Sequence, residues 1–214
     1  MKELKEVYNT IADSWFNVRN KPFDFVKQFS KIENKKVIEV GCGCGAELAL
    51  FAQKNFVVGI DFAKKMIKFA KKYFKKKGLK GYFVVGNLLE LPVKSKCFDF
   101  CLCVATLHHI PKKENRIKAL KELKRISKEK IIISVWKKQI RFFKKLLKSF
   151  FFSFFKKCEY GDVFVEWNYK GKKLLRFYHL YSKKEFENEL KKVFCDFEIF
   201  EDKKSNLIAA INLK

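Results

Sequence analysis

The 214-residue sequence has no long apolar segment of the kind that a membrane-spanning helix needs. No run of about 18 apolar residues occurs, although 48% of the chain is hydrophobic, which is ample for a core. The first residues, Met1–Lys5, include lysine and glutamate, so the uninterrupted apolar stretch of a signal peptide is missing as well. We therefore expect a cytoplasmic protein without stable membrane association.

The seven cysteines lack the spacing of a zinc site. Cys42 and Cys44 lie in a glycine-rich segment, and Cys101 and Cys103 lie in a predicted strand. Their number is odd, and C-x-C pairs at these places do not match the usual ligand patterns. We interpret them as small buried residues in a reducing cytosol and predict no metal site.

Arginine is scarce, with only 5 among the 48 basic residues, and the formal net charge is +25. Such a charge favours nucleic acid as a partner, because neutralising phosphates drives binding. An AT-rich genome would also enrich lysine, isoleucine and phenylalanine without any selection for RNA binding. We favour RNA, since this charge on a small chain costs self-repulsion that a neutral substrate would not justify.

Hydrophobic periodicity predicts strands and helices that alternate along most of the chain. We predict strands at 36–40, 56–60, 82–86, 98–104 and 130–136, and helices at 45–54, 63–77 and 113–127. This rhythm is typical of an α/β fold with a parallel sheet and helices on both faces.

The ends of the chain depart from this alternation. Leu4, Val7, Tyr8, Ile11 and Trp15 have helical spacing, a second helical segment is predicted at 23–30 after Pro22, and 193–201 with 207–213 forms a closing antiparallel pair. With no internal repeat and no linker composition, we predict one domain over 1–214, a helical cap at 1–33 and an insertion at about 137–181.

A glycine-rich loop follows the first strand directly. Val37–Val40 leads into Gly41, Gly43 and Gly45, and a helical pattern begins at Ala46. A strand, a tight turn and a helix start in this order hold a nucleotide-like cofactor against bare backbone. The spacing Gly41-x-Gly43-x-x-Ala46 also satisfies the relaxed NAD fingerprint, so the loop does not identify the cofactor by itself.

Two acidic residues at strand ends narrow the choice of cofactor. Asp61 ends the second strand, where a carboxylate would bind ribose hydroxyls of either cofactor. Glu39 precedes the first glycine by two residues, where an NAD site has no use for an acid beside its pyrophosphate. The α-ammonium group of S-adenosylmethionine would suit that carboxylate.

The ordered set of motifs over about 36–136 resembles the class I S-adenosylmethionine-dependent methyltransferases. The set continues with Gly86–Pro92 after the third strand and Phe98–Phe100 at the fourth. The resemblance implies a single-domain, seven-stranded Rossmann-like sheet of order 3-2-1-4-5-7-6, with the last strand antiparallel, N-terminal helices, and the insertion before the last two strands. It implies a cofactor site made by Glu39, Gly41, Gly43, Asp61, Phe62, Asn87, Leu88 and Ala105. The family usually has Asp at the position of Asn87, whose carboxamide can face the adenine amino group through its oxygen only.

Three further segments extend the resemblance to the tRNA wobble-uridine methyltransferases that esterify 5-carboxymethyluridine. They are 8–23, the segment 105–123 that contains His108-His109, and 161–180, which includes Asp-Val-Phe-Val-Glu-Trp and Arg-Phe-Tyr-His-Leu. The chain departs from the family at Val18, Phe23 and Glu166, where Thr, Trp and Pro are common. The resemblance implies that the anticodon loop of tRNA is the partner and that the substrate carboxylate, ionised at pH 7, needs no general base. The candidates to hold it are Arg19, His109, Arg176 and His179.

The resembled enzymes work with a small zinc-binding activator protein shared among several methyltransferases. In the implied sheet the third strand, Gly81–Val85, is an edge that could accept a strand from another chain. Residues 150–155 of the Phe-rich segment 142–155 are an alternative or a second candidate surface, with packing on its own domain as the simpler interpretation. Alternative functions are a class I methyltransferase for a small molecule or a protein, a non-catalytic RNA-binding module and, more distantly, an NAD enzyme.

Overall fold

The computed structural model describes residues 2–154, 158–203 and 206–213. It contains six α-helices among these residues: α1 Lys2–Val18, α2 Asp24–Lys27, α3 Lys64–Lys76, α4 Lys113–Ile126, α5 Phe143–Phe154 and α6 Lys183–Leu190. The nine strands are β1 Lys36–Val40, β2 Phe56–Asp61, β3 Tyr82–Val85, β4 Phe98–Cys103, β5 Ser127–Trp136, β6 Asp162–Tyr169, β7 Lys172–His179, β8 Phe197–Glu201 and β9 Asn206–Asn212. No helix in the described ranges is both long and apolar enough to cross a bilayer.

Seven strands form one sheet in the order β3-β2-β1-β4-β5-β9-β8, and β9 is antiparallel to both of its neighbours. Since β6 and β7 form a separate hairpin, this is the predicted order with two strands inserted before the last pair. The predicted fold class is therefore confirmed. The parallel register places Glu39 of β1 opposite Gly59 of β2 and Leu102 of β4, so the carboxyl ends of the three central strands meet at one edge.

The sheet carries one apolar layer on each face. Leu120, Leu123 and Phe186 belong to the layer that holds α4 and α6. Ile67 and Phe74 anchor α3 in the layer on the opposite face. All five are buried, as expected for a sheet whose parallel strands are covered on both sides.

A third cluster fixes α1 above the carboxyl edge of the sheet. Tyr8 and Ile11 of α1 pack with Met66 of α3, and Trp167 and Leu174 of the β6–β7 hairpin pack against them. The Trp167 indole also donates a hydrogen bond to Ser14 of α1 at 3.0 Å. The N-terminal helix and the inserted hairpin are thus joined to each other over the end of the sheet.

Three local predictions were wrong. The helix predicted at 45–54 is only a 3-10 turn, Leu48–Leu50, and Gly45, its predicted first residue, is left-handed at φ 78°. The segment predicted at 23–30 is helical only over Asp24–Lys27, so Pro22 lies outside the helix. The strand predicted from Val193 begins at Phe197, because the backbone N–H groups of Val193 and Phe194 both bond to the Leu190 carbonyl and end α6.

The hairpin within 137–181 was not predicted from the sequence. A two-residue loop, Lys170-Gly171, joins β6 to β7, and both residues have positive φ, as a type I′ turn requires. The Phe-rich segment forms α5, which packs on β6 and leaves Phe143 and Phe151 exposed. Phe155 of that segment lies outside the described residues.

Candidate active site

A cleft of about 1050 Å³, including its mouth, opens at the carboxyl ends of β1, β2 and β4 beneath α1. A pocket at this edge is where open α/β sheets bind their ligands. All eight residues predicted for the cofactor line it, as do two of the four predicted substrate-binding residues. These ten are Glu39, Gly41, Gly43, Asp61, Phe62, Asn87, Leu88, Ala105, Arg19 and His109.

The glycine loop forms the floor of the cleft in a conformation that only glycine adopts freely. Gly41 has φ 78° and Gly43 has φ 49°. A Cβ on Gly41 would meet the Thr106 side chain at 2.1 Å, so this residue keeps β1 and the β4 end in close approach. Bare backbone is therefore exposed to the cleft at this point.

Glu39 is the buried acid at the tip of β1. It is 1% exposed, and its Oε2 has no hydrogen-bond partner among the described residues. Burial, with repulsion from Glu47 and Asp61, holds the pKa of this carboxyl well above its usual range. An unpaired buried carboxyl of this kind is suited to a cationic ligand group, which would restore the ionised form.

Asp61 fixes the glycine loop to the end of β2. Its two oxygens accept backbone N–H groups, one from Gly43 at 2.9 Å and one from Ala63 at 2.8 Å. Burial nevertheless raises the pKa of Asp61 to about 6, since desolvation outweighs these two bonds. The carboxyl lines the cleft, so it can accept ligand hydroxyls while it holds the loop.

Asn87 caps the turn after β3 with its own side chain. Its Oδ1 accepts the Leu89 N–H at 3.1 Å. The oxygen through which we expected contact with an adenine amino group is therefore shared with the backbone. Leu88 is buried beside it and supplies an apolar wall.

Arg19 and His109 also line the cleft. The Arg19 guanidinium stacks over Phe23 at 4.6 Å from the ring centroid and forms no ion pair with any described residue. His109 Nδ1 donates to the Phe177 carbonyl at 2.9 Å, so its Nε2 accepts from the Tyr8 hydroxyl at 2.9 Å. Burial lowers the pKa of His109 to about 4, which keeps the ring neutral.

Arg176 lies behind the cleft wall instead of lining it. It is 4% exposed and packs against three rings, with its Cζ 4.7 Å from the centroid of Trp167, 5.4 Å from that of Tyr178 and 5.5 Å from that of Trp15. Its Nη1 donates to the Tyr178 hydroxyl at 2.8 Å, and its Nε has no partner among the described residues. No described carboxylate pairs with this buried cation, and Trp15 and Tyr178 separate it from the cleft they line.

His179, at the end of β7, does not line the cleft. Its Nδ1 contacts Asp162 at 2.7 Å and its Nε2 contacts Glu185 at 2.9 Å. Burial lowers the pKa of His179, but these two bonds more than offset it and the net shift is upward. The imidazolium thus joins the inserted hairpin to α6, which is a structural role.

Glu159, Asp162 and His179 are close enough to hold a metal ion. The groups around them already balance their charge, because Arg116 contacts Glu159 at 2.7 Å and Glu185 contacts the imidazole. The arrangement is that of a buried ion network, and the absence of a metal stays a prediction.

Comparisons with known proteins agree with this geometry. The family model for a methyltransferase domain matches residues 37–130, which run from β1 into β5. Over these residues the chain is similar to a methyltransferase domain. S-adenosylmethionine is the cofactor predicted for it. A crystal structure of an S-adenosylmethionine-dependent methyltransferase from Methanosarcina mazei superposes with a TM-score of 0.73 at 20% identity, over 90% of this chain and 98% of that one.

Two curated relatives of this chain are named as wobble-uridine methyltransferases. The tRNA (carboxymethyluridine(34)-5-O)-methyltransferase of Schizosaccharomyces pombe is 29% identical over 62% of this chain and 57% of its own length. The mouse enzyme of the same description, ALKBH8, is 28% identical over 63% of this chain and 20% of its own length. The chain thus spans between a fifth and somewhat over half of these relatives.

The residues of the methyltransferase cleft fit S-adenosylmethionine. Glu39 offers an unpaired carboxyl oxygen for the ammonium group, Asp61 offers acceptors for ribose hydroxyls, and the loop at Gly41 and Gly43 leaves room against the backbone. The individual roles of these residues stay predictions.

Sequence reasoning missed a second set of residues that line the methyltransferase cleft. Tyr8 and Trp15 were interpreted as the apolar face of α1, and His108 was passed over in favour of its neighbour. Thr106 was also missed. The sequence did offer one sign that Tyr8 and Trp15 belong to a site. Each places a polar group on an otherwise apolar helix face, and that group needs a hydrogen-bond partner when it is buried.

Proposed function

We propose that this methyltransferase acts on tRNA and esterifies the carboxylate of 5-carboxymethyluridine at the wobble position. The observation that carries the proposal is a wall of cations and hydrogen-bond donors at the cleft. Arg19 lies on it and forms no direct ion pair with a described carboxylate, although its charge acts on Glu47, and Arg176 packs against Trp15 and Tyr178 of the same wall. The printed names of the two curated relatives supply the same substrate.

The wall suits a substrate carboxylate, which is ionised at neutral pH and can act as the nucleophile without first losing a proton. S-adenosylmethionine, when bound, supplies an electrophilic methyl group on a sulfonium, and the carboxylate becomes a methyl ester without losing a proton. The protein then has to position the carboxylate oxygen and exclude water. Arg19 supplies a planar fork for one carboxylate, and the aromatic rings of Trp15 and Tyr178 keep that side of the cleft apolar.

Arg176 supports the wall from behind. Because it donates to the Tyr178 oxygen, it fixes the hydroxyl of a residue that lines the cleft. Its charge also favours an anion in the cleft, since no described acid neutralises it locally. A neutral acceptor would gain nothing from this buried cation.

The acceptor atom can be identified chemically. Purified protein is incubated with tRNA that carries 5-carboxymethyluridine and with methyl-labelled S-adenosylmethionine, and the label is followed after mild alkali. A base-labile methyl ester is the expected product, and binding should weaken steeply with salt because the net charge of +25 neutralises phosphates. Label that survives alkali means a different acceptor atom, and labelling of a protein or a small molecule alone means the alternative substrate classes.

We also propose the partner that the resemblance implies, a small zinc-binding activator that adds a strand to β3. This strand is the edge of the sheet, and Tyr82 is 62% exposed, with Val84 and Val85 also exposed. Phe83 points the other way and is buried against Phe74, so α3 covers only one side of the strand. The exposed side has backbone and aromatic surface for another chain.

Co-expression tests the partner. The activator should raise the solubility and cofactor affinity of the wild-type chain, and Val84→Pro should abolish the complex. Tyr82→Lys is the second variant, since it keeps the backbone of β3 and removes only the exposed ring. A monodisperse and fully active chain made alone contradicts an obligatory partner.

A further inference from the structure

The three histidines of the chain are held in three different protonation states by their partners. His108 Nδ1 lies 3.1 Å from the Trp136 backbone nitrogen, and a backbone N–H can only donate. Nδ1 is therefore the acceptor, and the proton of the neutral ring is on Nε2. His109 has the opposite tautomer, because its Nδ1 faces a carbonyl, and His179 carries both protons between two carboxylates.

The Nε2–H of His108 is a donor without an acceptor among the described residues. The side chain is 1% exposed, its Nε2 atom is buried, and His108 is one of the residues that line the cleft. Tyr178 stacks on it at 5.2 Å with an interplanar angle of 23°, and Trp136 lies at 5.5 Å, so the ring cannot turn away from its position. A buried donor of this kind costs stability until a ligand accepts its hydrogen bond.

Its polar neighbours in the wall are already engaged with each other. The Tyr8 hydroxyl donates to His109, whose other nitrogen donates to a carbonyl. The Thr106 hydroxyl donates to the Val104 carbonyl at 2.9 Å. Of Tyr8, Thr106, His108 and His109, His108 is the one whose N–H has no acceptor among the described residues.

We propose that His108 is a catalytic residue whose neutral Nε2–H binds the substrate carboxylate. The inference rests on the proposed function and assigns the donor within that site. A neutral donor orients a carboxylate without forming an ion pair, so the nucleophile keeps its charge. Burial lowers the pKa of His108 well below its usual range, with repulsion from His109 and Arg19 adding to the effect, so the ring stays neutral throughout the working pH range.

Nuclear magnetic resonance of the imidazole nitrogens tests the geometry without requiring turnover. Histidine is present only three times in the 214 residues, so ¹⁵N-histidine labelling gives three rings to assign. We expect an Nε2–H tautomer for His108, an Nδ1–H tautomer for His109 and a doubly protonated His179 at pH 7. In the presence of S-adenosylhomocysteine, 5-carboxymethyluridine should shift the His108 Nε2 resonance, and uridine should not.

Two variants distinguish the role of the His108 Nε2–H donor from that of the Trp136 hydrogen bond that holds the ring. His108→Asn keeps an acceptor for the Trp136 N–H but has no group at the Nε2 position. His108→Gln puts an amide N–H near that position. On tRNA with 5-carboxymethyluridine, His108→Asn should lower kcat/KM by about 10- to 150-fold, the value of one hydrogen bond to a charged group, and His108→Gln should recover most of the loss. Calorimetry should find S-adenosylhomocysteine binding unchanged in both.

The outcomes distinguish this inference from the proposed function. Wild-type activity together with a fully active His108→Asn variant, or a His108 resonance that 5-carboxymethyluridine does not move, overturns the role of His108 and leaves the proposed function intact. A rate that falls as pH rises through 6 to 7, and loses that dependence in His108→Asn, shows an imidazolium and overturns the neutral donor. If the wild-type chain does not methylate the modified tRNA, the proposed function fails, and the resonance shift alone decides whether His108 binds a carboxylate.

Discussion

Replacing Asp61 with asparagine should weaken cofactor binding in a way that depends on pH. The carboxylate has two acceptor oxygens, both bonded to backbone N–H groups of Gly43 and Ala63, and it lines the cleft. A carboxamide has one acceptor oxygen, and its NH₂ group faces one of these donors. A hydrogen bond to a charged group contributes about 1.5–3 kcal/mol, so at pH 8 the Kd for S-adenosylmethionine should rise about 10- to 150-fold.

The pH dependence follows from the pKa of about 6 for Asp61 in the free protein. Ligand hydroxyls donate to the ionised form, so affinity is full above this pKa and falls as pH drops through it. At pH 5 about nine-tenths of the carboxyl groups are protonated, and wild-type affinity should fall about tenfold from this group alone. The asparagine side chain does not titrate, so the ratio of the variant Kd to the wild-type Kd should shrink about tenfold between pH 8 and pH 5.

Calorimetric titration with S-adenosylmethionine at several pH values measures this ratio. Glu39 also titrates in the cleft, but its effect is common to both proteins and cancels in the ratio to first order. Asp99→Asn is the matched control, since Asp99 also accepts a strand N–H, from Lys36 at 2.8 Å, and does not line the cleft. A ratio that stays constant from pH 8 to pH 5 refutes the reasoning, as does an equal loss of affinity in the control.

Three further outcomes are expected. Glu39→Gln should weaken the binding of S-adenosylmethionine by about tenfold or more through the lost charge. It should also raise the melting temperature of the free protein, because it removes a buried acid with an unpaired oxygen. Calorimetry measures the affinity, and a melting curve measures the stability. Arg176→Met should lower kcat/KM on modified tRNA and leave cofactor affinity unchanged, with Arg125→Met as the matched control outside the cleft. His179→Gln should reduce the free energy of unfolding by about 1–3 kcal/mol at pH 6, and this loss should fade at alkaline pH. A raised histidine pKa gives stability that is full below about 6.5 and disappears as the pH rises through the pKa of the folded state. Denaturant titrations at pH 6 and pH 9 that give the same loss contradict the assignment.

The sequence by itself determined the sheet and the cofactor edge of the cleft. Both depend on patterns that are local in the chain. β1 and the glycine loop are read from an apolar run that ends in Gly41, and the acids Glu39 and Asp61 occupy strand ends that a parallel sheet brings to one edge. The strand order could be predicted because it follows the known connection rules of the resembled fold.

Local patterns failed where short-range and tertiary preferences compete. The helical composition of 45–54 gives only a 3-10 turn, since Gly45 is left-handed at the position where the helix was predicted to begin. The β6–β7 hairpin was not predicted because its Lys170-Gly171 turn is a weak sequence signal. The hairpin also packs on α1 and is not part of the main sheet. Propensity is a weak guide wherever packing decides the outcome.

Only the tertiary structure decided which polar groups can meet a substrate. From the sequence, Arg176 and His179 are equivalent members of one motif. In the fold, Arg176 stands behind the cleft among aromatic rings, and His179 is bound between two acids away from it. His108 and His109 are adjacent in the chain, yet their tautomers are set by Trp136 and Phe177, 28 and 68 residues away. The physical reason is that a hydrogen bond has a direction, and the partners that fix this direction come from distant segments which the sequence does not pair.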